Sequence, residues 1–300
     1  MKAGFAALVG RPNVGKSTLL NQLLGQKLAI VSPKPQTTRG RILGVVTRPE
    51  VQVALLDTPG LHTAKGGLNA RMVQSALQTL ADADVALFLI EAGGPAIDAA
   101  TRKALEQVKA AGKPTLLVVN KIDQVQKPML LPLIDRWKDL HQWSEIYPLS
   151  ALKGDNVPGL VDAIARHLPE GEPMFPPDQW TDASERDLCA ELIREQLLKQ
   201  LDQEVPYSAA VLIEKFDESE RSVGPRGLVR VQATIVLERD SQKAIVIGKR
   251  GTRLKEIGTR SRLEMEKLLG AKVFLELHVR VEPRWTETAK GLRRAGYEEK

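Results

Sequence analysis

Eight consecutive residues near the N terminus have the types and spacing of a phosphate-binding loop. The segment Gly10-Arg11-Pro12-Asn13-Val14-Gly15-Lys16-Ser17 follows a short apolar run and precedes a helix-prone stretch. Glycines allow the backbone to wrap closely around a phosphate group, and amide N–H groups at a helix start attract negative charge. In this pattern the lysine reaches the β- and γ-phosphates, and the serine hydroxyl ligates Mg²⁺. The predicted nucleotide contacts in this region are Gly10, Asn13, Val14, Gly15, Lys16, Ser17 and Thr18.

A second motif, Asp57-Thr58-Pro59-Gly60, ends another apolar run. A carboxylate at the C-terminal end of a strand can hold Mg²⁺ through water, and the backbone N–H of Gly60 can donate to a γ-phosphate. Taken alone, an Asp-x-Pro-Gly segment is also an ordinary turn. Because it follows a phosphate-binding loop in the same chain, we interpret it as a γ-phosphate-sensing loop, with Asp57 and Ser17 as predicted metal ligands.

The motif Asn120-Lys121-Ile122-Asp123, after a further apolar run, predicts which base is bound. The Asp123 carboxylate can accept hydrogen bonds from both N1–H and the exocyclic amine of guanine, a pattern that adenine does not offer. A guanine-shaped site that leaves this carboxylate unpaired rejects adenine, so the motif favours GTP and disfavours an ATPase. The triplet Ser150-Ala151-Leu152 suits a backbone contact to the guanine oxygen. The predicted base-side contacts are Asn120, Lys121, Asp123, Ser150, Ala151 and Leu152.

The elements that position these motifs alternate between strand-like and helix-like segments across residues 1–170. Runs of strand length, rich in Val, Leu and Ile, lie at 5–9, 51–56, 85–90, 115–119 and 146–149. Helix-like windows lie between and after them, at 16–24, 68–81, 95–111, 129–142 and 156–168. Continuous apolarity at strand length is typical of a sheet that is covered on both faces. The pattern predicts a doubly wound α/β sheet, whose ligands bind beyond the C-terminal ends of the strands.

The residues after 170 predict a second, smaller domain. A segment dense in proline, glycine and acidic residues is the predicted linker, at 171–183. It precedes a helix, two strands, two helices and a strand, at 184–201, 209–215, 228–237, 241–247, 252–269 and 273–281. The order α-β-β-α-α-β indicates an α+β domain. The predicted organisation is therefore a GTPase domain at 1–170, the linker, an α+β domain at 184–285 and a C-terminal tail at 286–300.

A glycine pair joins two predicted helices of the second domain. The segment Gly248-Lys249-Arg250-Gly251 is too short to be specific alone, but its place between helices is similar to the bacterial type of KH module, which clamps a nucleic-acid backbone there. We expect bases to lie along Ile245, Val246 and Ile247 and the neighbouring strand, with single-stranded RNA as the ligand. A solvated basic loop without a ligand is the alternative. The predicted RNA contacts are Ile245, Ile247, Gly248, Lys249, Arg250, Gly251 and Arg253.

Charge and composition limit the class of protein. The chain has 43 Lys and Arg against 37 Asp and Glu, and residues 221–300 alone have 19 basic and 10 acidic side chains. This excess suits a phosphate-rich partner, although a pair of solvated helical faces would give the same charge. No run approaches about 18 apolar residues, so we expect neither a membrane-spanning helix nor a cleaved secretory signal. Cys189 is the only cysteine, which indicates a reducing compartment such as the cytoplasm.

Together these motifs resemble the translation-factor-related P-loop GTPases over residues 1–170, and the Era family over nearly the whole chain. The second resemblance rests on Pro12-Asn13, Gln36-Thr37-Thr38-Arg39, Asp57-Thr58-Pro59-Gly60-Leu61-His62 and the C-terminal KH segment. It implies a GTPase that binds GTP or GDP with Mg²⁺, and that binds the 3′ end of 16S rRNA during assembly of the 30S ribosomal subunit. It also implies peripheral association with the inner membrane. We expect a monomer.

The resemblance also implies individual roles. In these GTPases a threonine of the first switch loop ligates Mg²⁺ when the γ-phosphate is present, and we choose Thr38 over Thr37. Asn13 resembles the asparagine of GTPases that recruit K⁺ in place of an arginine finger, while turn formation after Pro12 is the alternative. The implied catalytic residues are Asn13, Lys16, Thr38 and Gly60, and the metal ligands are Ser17, Thr38 and Asp57.

One position departs from the wider GTPase pattern. Many members have a glutamine directly after the D-x-x-G motif to orient the attacking water, but this chain has Leu61, followed by His62. Leucine cannot hydrogen-bond to water, so we expect slow intrinsic hydrolysis. Two alternatives therefore stay open: an RNA-binding assembly protein with little turnover, and a membrane-surface signalling GTPase whose basic region contacts anionic lipid.

Overall fold

A six-stranded sheet forms the centre of the first of two units. The computed structural model describes residues 1–32, 34, 37–59, 67–94, 97–202, 205–223 and 227–296; the first unit ends at Asp182 and the second begins its main part at Ala183. The strands are β1 (Lys2–Gly10), β2 (Ile42–Arg48), β3 (Val51–Asp57), β4 (Val85–Glu91), β5 (Thr115–Asn120) and β6 (Glu145–Pro148). Their order is β2-β3-β1-β4-β5-β6, with β2 antiparallel and the others parallel.

Helices follow the strands and cover the sheet. They are α1 (Lys16–Leu24), α2 (Gly67–Asp82), α3 (Ala99–Ala111), α4 (Leu130–Lys138) and α5 (Val157–Ala165). Apolar side chains of β1, β4 and β5 form one core with α2, α3 and α4, and α1 and α5 contact β1 and β3. The alternating strands and helices give the doubly wound arrangement that the sequence predicts. Its C-terminal strand ends bring β1, β3 and β5 to one edge, where the predicted motifs follow.

Strand β2 is absent from the sequence-based prediction. It pairs with β3 over its whole length, from Ile42 opposite Asp57 to Arg48 opposite Val51. Gly44 interrupts its apolar pattern, and an added Cβ there would lie 2.7 Å from a methyl carbon of Leu24, so that side chain would have to shift. The glycine that lets α1 pack closely on β2 therefore also hides the strand from a sequence pattern.

The second unit has the predicted order of elements. They are α6 (Glu185–Gln200), β7 (Ala210–Glu220), β8 (Leu228–Leu237), α7 (Asp240–Ile247), α8 (Thr252–Leu269) and β9 (Lys272–Val281). Strand β8 lies between antiparallel β7 and parallel β9. Alternate residues of β8, from Val229 to Leu237, are buried against the helices. The α+β class of this unit is thus as predicted, and it sets the loop between α7 and α8 at one end of the core.

Two segments outside these elements are also ordered. In the predicted linker, the buried Gln52 of β3 accepts hydrogen bonds from the backbone N–H groups of Met174 (2.7 Å) and Phe175 (2.9 Å), and Trp180 and Thr181 bond to β2. In the predicted tail, residues Ala289–Arg294 form α9. The linker range 171–183 thus packs on the first unit up to Thr181, and the domain boundaries stay a prediction.

Candidate functional site

The phosphate-binding loop connects β1 to α1 through backbone conformations that few side chains allow. Gly10 has φ +152° and Gly15 has φ +100°. A Cβ at Gly10 would lie 2.6 Å from the carbonyl oxygen of Leu89, and one at Gly15 would collide with the Asn120 amide. Asn13 has φ +65°, a value that asparagine tolerates. The loop therefore takes a shape that requires both glycines and leaves the N terminus of α1 open.

Lys16 lies inside this loop and is only 6% exposed. Its Nζ donates to the carbonyl oxygens of Gly10 (3.1 Å) and Arg11 (3.0 Å). Burial lowers the pKa of Lys16, and the negative charge of Asp57 opposes this change only in part. A buried ammonium whose pKa is lowered gains stabilisation when a further anion approaches it. The loop is thus electrostatically suited to bind phosphate.

The three predicted metal ligands meet at one carboxylate oxygen. The Ser17 hydroxyl donates to Asp57 Oδ2 (2.7 Å), the Thr38 hydroxyl donates to the same oxygen (3.0 Å), and the two hydroxyls lie 3.2 Å apart. Asp57 is fully buried, and within the described ranges its Oδ1 accepts no hydrogen bond. Hydroxyl and carboxylate oxygens are the ligands Mg²⁺ prefers, and an unpaired buried carboxylate oxygen costs free energy unless a cation joins it. These residues fit Mg²⁺. Thr37 lines the same cavity, but Thr38 is the threonine at Asp57.

Burial also raises the pKa of Asp57, although Lys16, Ser17 and Thr38 all act in the opposite direction. Because Mg²⁺ binds the ionised carboxylate, we expect Mg²⁺ affinity to fall on acidification, starting at a higher pH than for an exposed aspartate. The measurement is Mg²⁺ titration of the GDP-bound protein between about pH 5 and pH 8. Free GDP titrated in parallel removes the contribution of its own phosphates. Protein affinity that followed free GDP throughout would contradict this assignment.

Asn120 joins the loops around the predicted base site. Its Nδ2 donates to the carbonyl oxygen of Val14 (2.8 Å), and its Oδ1 accepts from the backbone N–H groups of Lys121 (2.7 Å) and Ala151 (2.9 Å). These bonds connect the phosphate-binding loop with the segments that follow β5 and β6. Asn120 thus positions the other residues through its own side chain, a role that a sequence motif alone does not distinguish from contact with the base.

The Asp123 carboxylate is held in place by Ser150. The Ser150 hydroxyl donates to Asp123 Oδ1 (2.6 Å) and accepts from the backbone N–H of Lys153 (3.1 Å). Lys121 has φ +63° and pairs with Glu91. Ala151 is buried, whereas the Leu152 side chain is 69% exposed. The predicted base-side residues are therefore close together, with a carboxylate already fixed as an acceptor.

A cavity of about 350 Å³ lies beside the phosphate-binding loop, and of the predicted base-side residues only Lys121 is in its lining. Its lining includes eight of the predicted site residues or their alternatives: Asn13, Gly15, Lys16, Ser17, Thr18, Thr37, Thr38 and Lys121. Gly10 and Val14 of the loop are buried and are not in this lining. Gly60, Leu61 and His62 lie outside the described residues. The structure thus places Lys16, Ser17 and Thr38 on one cavity, with the buried Asp57 hydrogen-bonded to both hydroxyls.

The loop between α7 and α8 has the geometry of a backbone clamp. Gly248 and Gly251 have φ +71° and +76°, Arg250 has φ +52°, and both Lys249 and Arg250 are exposed. A Cβ at Gly251 would meet nothing within 4 Å, so the space beside it is open. The Arg253 guanidinium donates to the carbonyl oxygen of Ile245 (3.0 Å). Basic side chains and open backbone therefore share one short loop.

A groove of about 380 Å³ leads away from this loop, between α8 and β9. It is lined by Gly251, Leu254, Lys255, Gly258, Thr259, Arg262, Leu275 and Leu277. Only Gly251 was predicted among these, and Ile245 and Ile247 are not part of the lining. Val246, predicted to face the bases, is fully buried in the core, so that expectation is wrong. The spacing of residues 251, 254, 255, 258 and 262 on one helical face was the available signal.

Comparisons with known proteins extend over both units. A family model described as "50S ribosome-binding GTPase" matches residues 5–121, and a KH domain model matches residues 204–286. GTPase Era of Syntrophus aciditrophicus is 48% identical over 298 residues, which cover 99% of this chain and 96% of that protein. The chain belongs to the Era family of GTPases. GTPase Era of Geotalea uraniireducens, at 48% identity over 297 residues, covers 99% of this chain and 98% of its own length.

Solved structures of Era proteins match the whole chain. A variant of Aquifex aeolicus Era bound to GDP·AlF₄⁻ is 44% identical, with a TM-score of 0.94 and full coverage of both chains. An Era protein in complex with MgGDPNP and nucleotides 1506–1542 of 16S ribosomal RNA gives the same values. The predicted family and the predicted fold, a P-loop GTPase domain followed by a KH domain, are confirmed. Within the described ranges, no helix combines the length and apolarity needed to cross a bilayer.

Proposed function

We propose that this Era-family GTPase hydrolyses GTP at the loop that follows β1 and binds the 3′ end of 16S rRNA through the groove beside Gly251. In this proposal it acts in assembly of the 30S ribosomal subunit. The observation that carries the RNA part is the open groove, which joins a basic glycine loop to an apolar wall. The Era relative bound to MgGDPNP and 16S rRNA nucleotides supports it.

For nucleotide binding, the chain offers preformed charges and donors. Lys16 would contact the β- and γ-phosphates, since its ammonium already lies in the loop and the charge of Asp57 only partly offsets the cost of burying it. Ser17, Thr38 and Asp57 would hold Mg²⁺, which when bound neutralises charge on the phosphates. Asp123, fixed by Ser150, would accept the guanine donors. Positioning and electrostatic stabilisation are the main contributions that phosphoryl transfer needs from a protein.

The roles of the remaining catalytic candidates stay predictions. Asn13 is exposed and has the left-handed conformation of a turn residue, so the turn-forming role is compatible with its backbone. That conformation leaves K⁺ recruitment open as well. Thr38 would sense the γ-phosphate through its place at Asp57, and Gly60 would donate a backbone N–H. Slow intrinsic hydrolysis remains the expectation from Leu61.

For RNA binding, the loop between α7 and α8 would contact phosphates and the groove between α8 and β9 would contact bases. Lys249 and Arg250 would contact phosphates, because both are exposed on a loop whose backbone is open at Gly251. Bases would lie against Leu275 and Leu277 of β9, in the groove that Gly258 leaves open. Contacts to phosphates fix position and carry no sequence information, so any sequence preference must come from the groove. Cytoplasmic location and a monomeric state belong to the same proposal.

Replacing both Lys249 and Arg250 with alanine is expected to weaken binding to all RNA sequences by a similar factor. Each lost phosphate contact should also flatten the dependence of log affinity on log salt concentration by roughly 0.7 for a single strand. The measurement is a filter-binding salt titration with an oligonucleotide of the 16S rRNA 3′ end. GTP affinity should not change, because the loop lies in the other unit.

The matched control removes two cations of α8 that do not line the groove. Arg260 and Lys267 are exposed and pair with Glu256 and Glu264, so their double alanine variant should keep the wild-type affinity and salt slope. If the Lys249/Arg250 variant had the same RNA affinity and salt slope as the wild type, RNA would bind at another part of the protein. If anionic vesicles displaced RNA from the protein and neutral vesicles did not, the membrane-surface alternative would be favoured.

A further inference from the structure

A second cavity, of about 240 Å³, lies beside the phosphate-binding loop, between β4, α3 and α4. Its lining includes Arg11 and Val14 of that loop, yet it shares no residue with the lining of the nucleotide cavity. Val14 is the one residue of its lining that is also a predicted nucleotide contact, and none of the lining belongs to the RNA groove. The volume is below the range of about 300–1,000 Å³ that is usual for drug-sized ligands, so its ligand is small.

The cavity combines aromatic walls with unpaired positive charge. Phe88 and Trp137 are buried in the lining, with ring centroids 5.9 Å apart. Arg102 and Arg136 also line it, are exposed, and form no ion pair or hydrogen bond with other residues that the structure describes. A guanidinium matches the planar geometry of a carboxylate or phosphate, whereas apolar walls favour a ring. The lining is therefore complementary to a ring that carries a negative group.

The other charged groups of the lining are already paired, and they connect it to the nucleotide site. Arg11 pairs with Asp98 (3.3 Å), while its carbonyl oxygen accepts from Lys16 (3.0 Å). Glu91 pairs with Lys121. An anion in the cavity would compete with Asp98 for Arg11 and add negative charge beside Glu91.

Val14 makes a third connection. Its side chain lines the cavity, and its carbonyl oxygen accepts from Asn120 (2.8 Å). Three lining residues thus bond directly to Lys16, Lys121 and Asn120. A ligand that moves these bonds changes the free energy of nucleotide binding, and by linkage the nucleotide changes ligand affinity by the same factor.

We propose that this cavity is a regulatory site for a small aromatic anion, held by Arg102 and Arg136 against Phe88 and Trp137, whose binding accelerates GDP release. The site is distinct from the GTP and RNA sites, and it exists whether or not the RNA proposal holds. The chemical class is a ring of one or two cycles with a carboxylate or a phosphate.

The test titrates the full-length, GDP-bound protein with benzoate, phenyl phosphate and the neutral isostere benzamide. Binding is followed by the NMR signals of the four tryptophan indoles, with the Trp137 signal assigned from Trp137→Phe. We expect a saturable shift of Trp137 with one or both anions and none with benzamide. We also expect release of a fluorescent GDP analogue to accelerate by about fivefold or more at saturation. A response to phenyl phosphate alone would assign the anion as a phosphate.

Variants separate this site from nonspecific charge effects. Arg102→Gln with Arg136→Gln should weaken anion affinity about tenfold or more, since bonds to charged groups are lost. Lys103→Gln with Lys138→Gln removes equal charge from the same two helices, outside the lining, and should leave affinity unchanged. Absence of a saturable shift, equal binding of benzamide, or unchanged affinity in the arginine variant would overturn the site. Binding without any change in GDP release would overturn the coupling.

Discussion

The Lys16→Met variant is expected to lose GTP affinity by about a thousandfold, which corresponds to ~4 kcal/mol. Its ammonium is buried within the phosphate-binding loop, and contacts of a cation with two phosphates contribute roughly this much. Equilibrium titration with a fluorescent GTP analogue measures the loss. Single-turnover hydrolysis at saturating nucleotide should fall as well, because Lys16 also stabilises charge that develops on the phosphates.

The same substitution makes a separate prediction for the protein without nucleotide. Burial lowers the pKa of Lys16, so folding disfavours its charged form. A folded-state pKa below the unfolded value means that the Lys16 charge itself costs stability at neutral pH, whereas its removal also takes a favourable charge away from the buried Asp57. Because these two effects oppose each other, we expect only a small change in melting temperature. Methionine keeps the length and the apolar stem of lysine. A large drop in melting temperature would mean that Lys16 has a structural role, and unchanged GTP affinity would contradict the phosphate-binding role.

For Asp123→Asn, we expect GTP affinity to fall about a thousandfold, while affinity for xanthosine triphosphate rises above that for GTP. The carboxylate accepts two guanine donors in the proposed complex, and an amide in its place would offer one donor where the base also has a donor. Xanthine has a carbonyl oxygen at that position, which accepts the amide hydrogen. Calorimetric titration with both nucleotides measures the exchange.

The structure supplies a matched control for this variant. Ser150→Ala removes the hydroxyl that donates to Asp123 Oδ1, but leaves the carboxylate itself. We expect that variant to weaken GTP binding by about tenfold and to leave the preference for guanine intact. Unchanged GTP affinity in Asp123→Asn, or an equal shift toward xanthine in Ser150→Ala, would show that the base is read by other residues.

The sequence predicted the structure best where residues close together in the chain determine it. The bounds of β8, Leu228–Leu237, and of α8, Thr252–Leu269, coincide with the predicted ones, because apolar and polar residues alternate over most of the strand and glycines flank the helix. The motifs that contain Ser17 and Asp57 were equally informative: these residues are 40 positions apart in sequence, yet the Ser17 hydroxyl lies 2.7 Å from Asp57 Oδ2. Motifs at the ends of parallel strands converge, since the sheet brings those ends to one edge.

What the sequence did not reveal depends on contacts between elements. The RNA groove is formed by α8 and β9 together. Gly258 of α8 faces Leu277 of β9, and a Cβ added at Gly258 would lie 3.3 Å from the Cδ1 atom of Leu277, so the lack of a side chain at Gly258 keeps the groove open. A helical glycine has no such meaning in a linear pattern. Likewise, Val246 follows Ile245 on an apolar stretch, but one is buried and the other 40% exposed, which the packing of α7 decides.

The segment that packs on β2 also has a consequence for self-association. Strand β2 is at the rim of the six-stranded sheet, where unpaired backbone groups would offer a template for another chain. The N–H of Val45 donates to the carbonyl oxygen of Trp180 (2.8 Å), and Leu43 accepts from the Thr181 hydroxyl (2.7 Å). The opposite rim, β6, is only four residues long and ends in Pro148. A fragment cut at residue 170 would uncover β2 and become prone to aggregation through it, whereas one that extends through Thr181 keeps this rim closed.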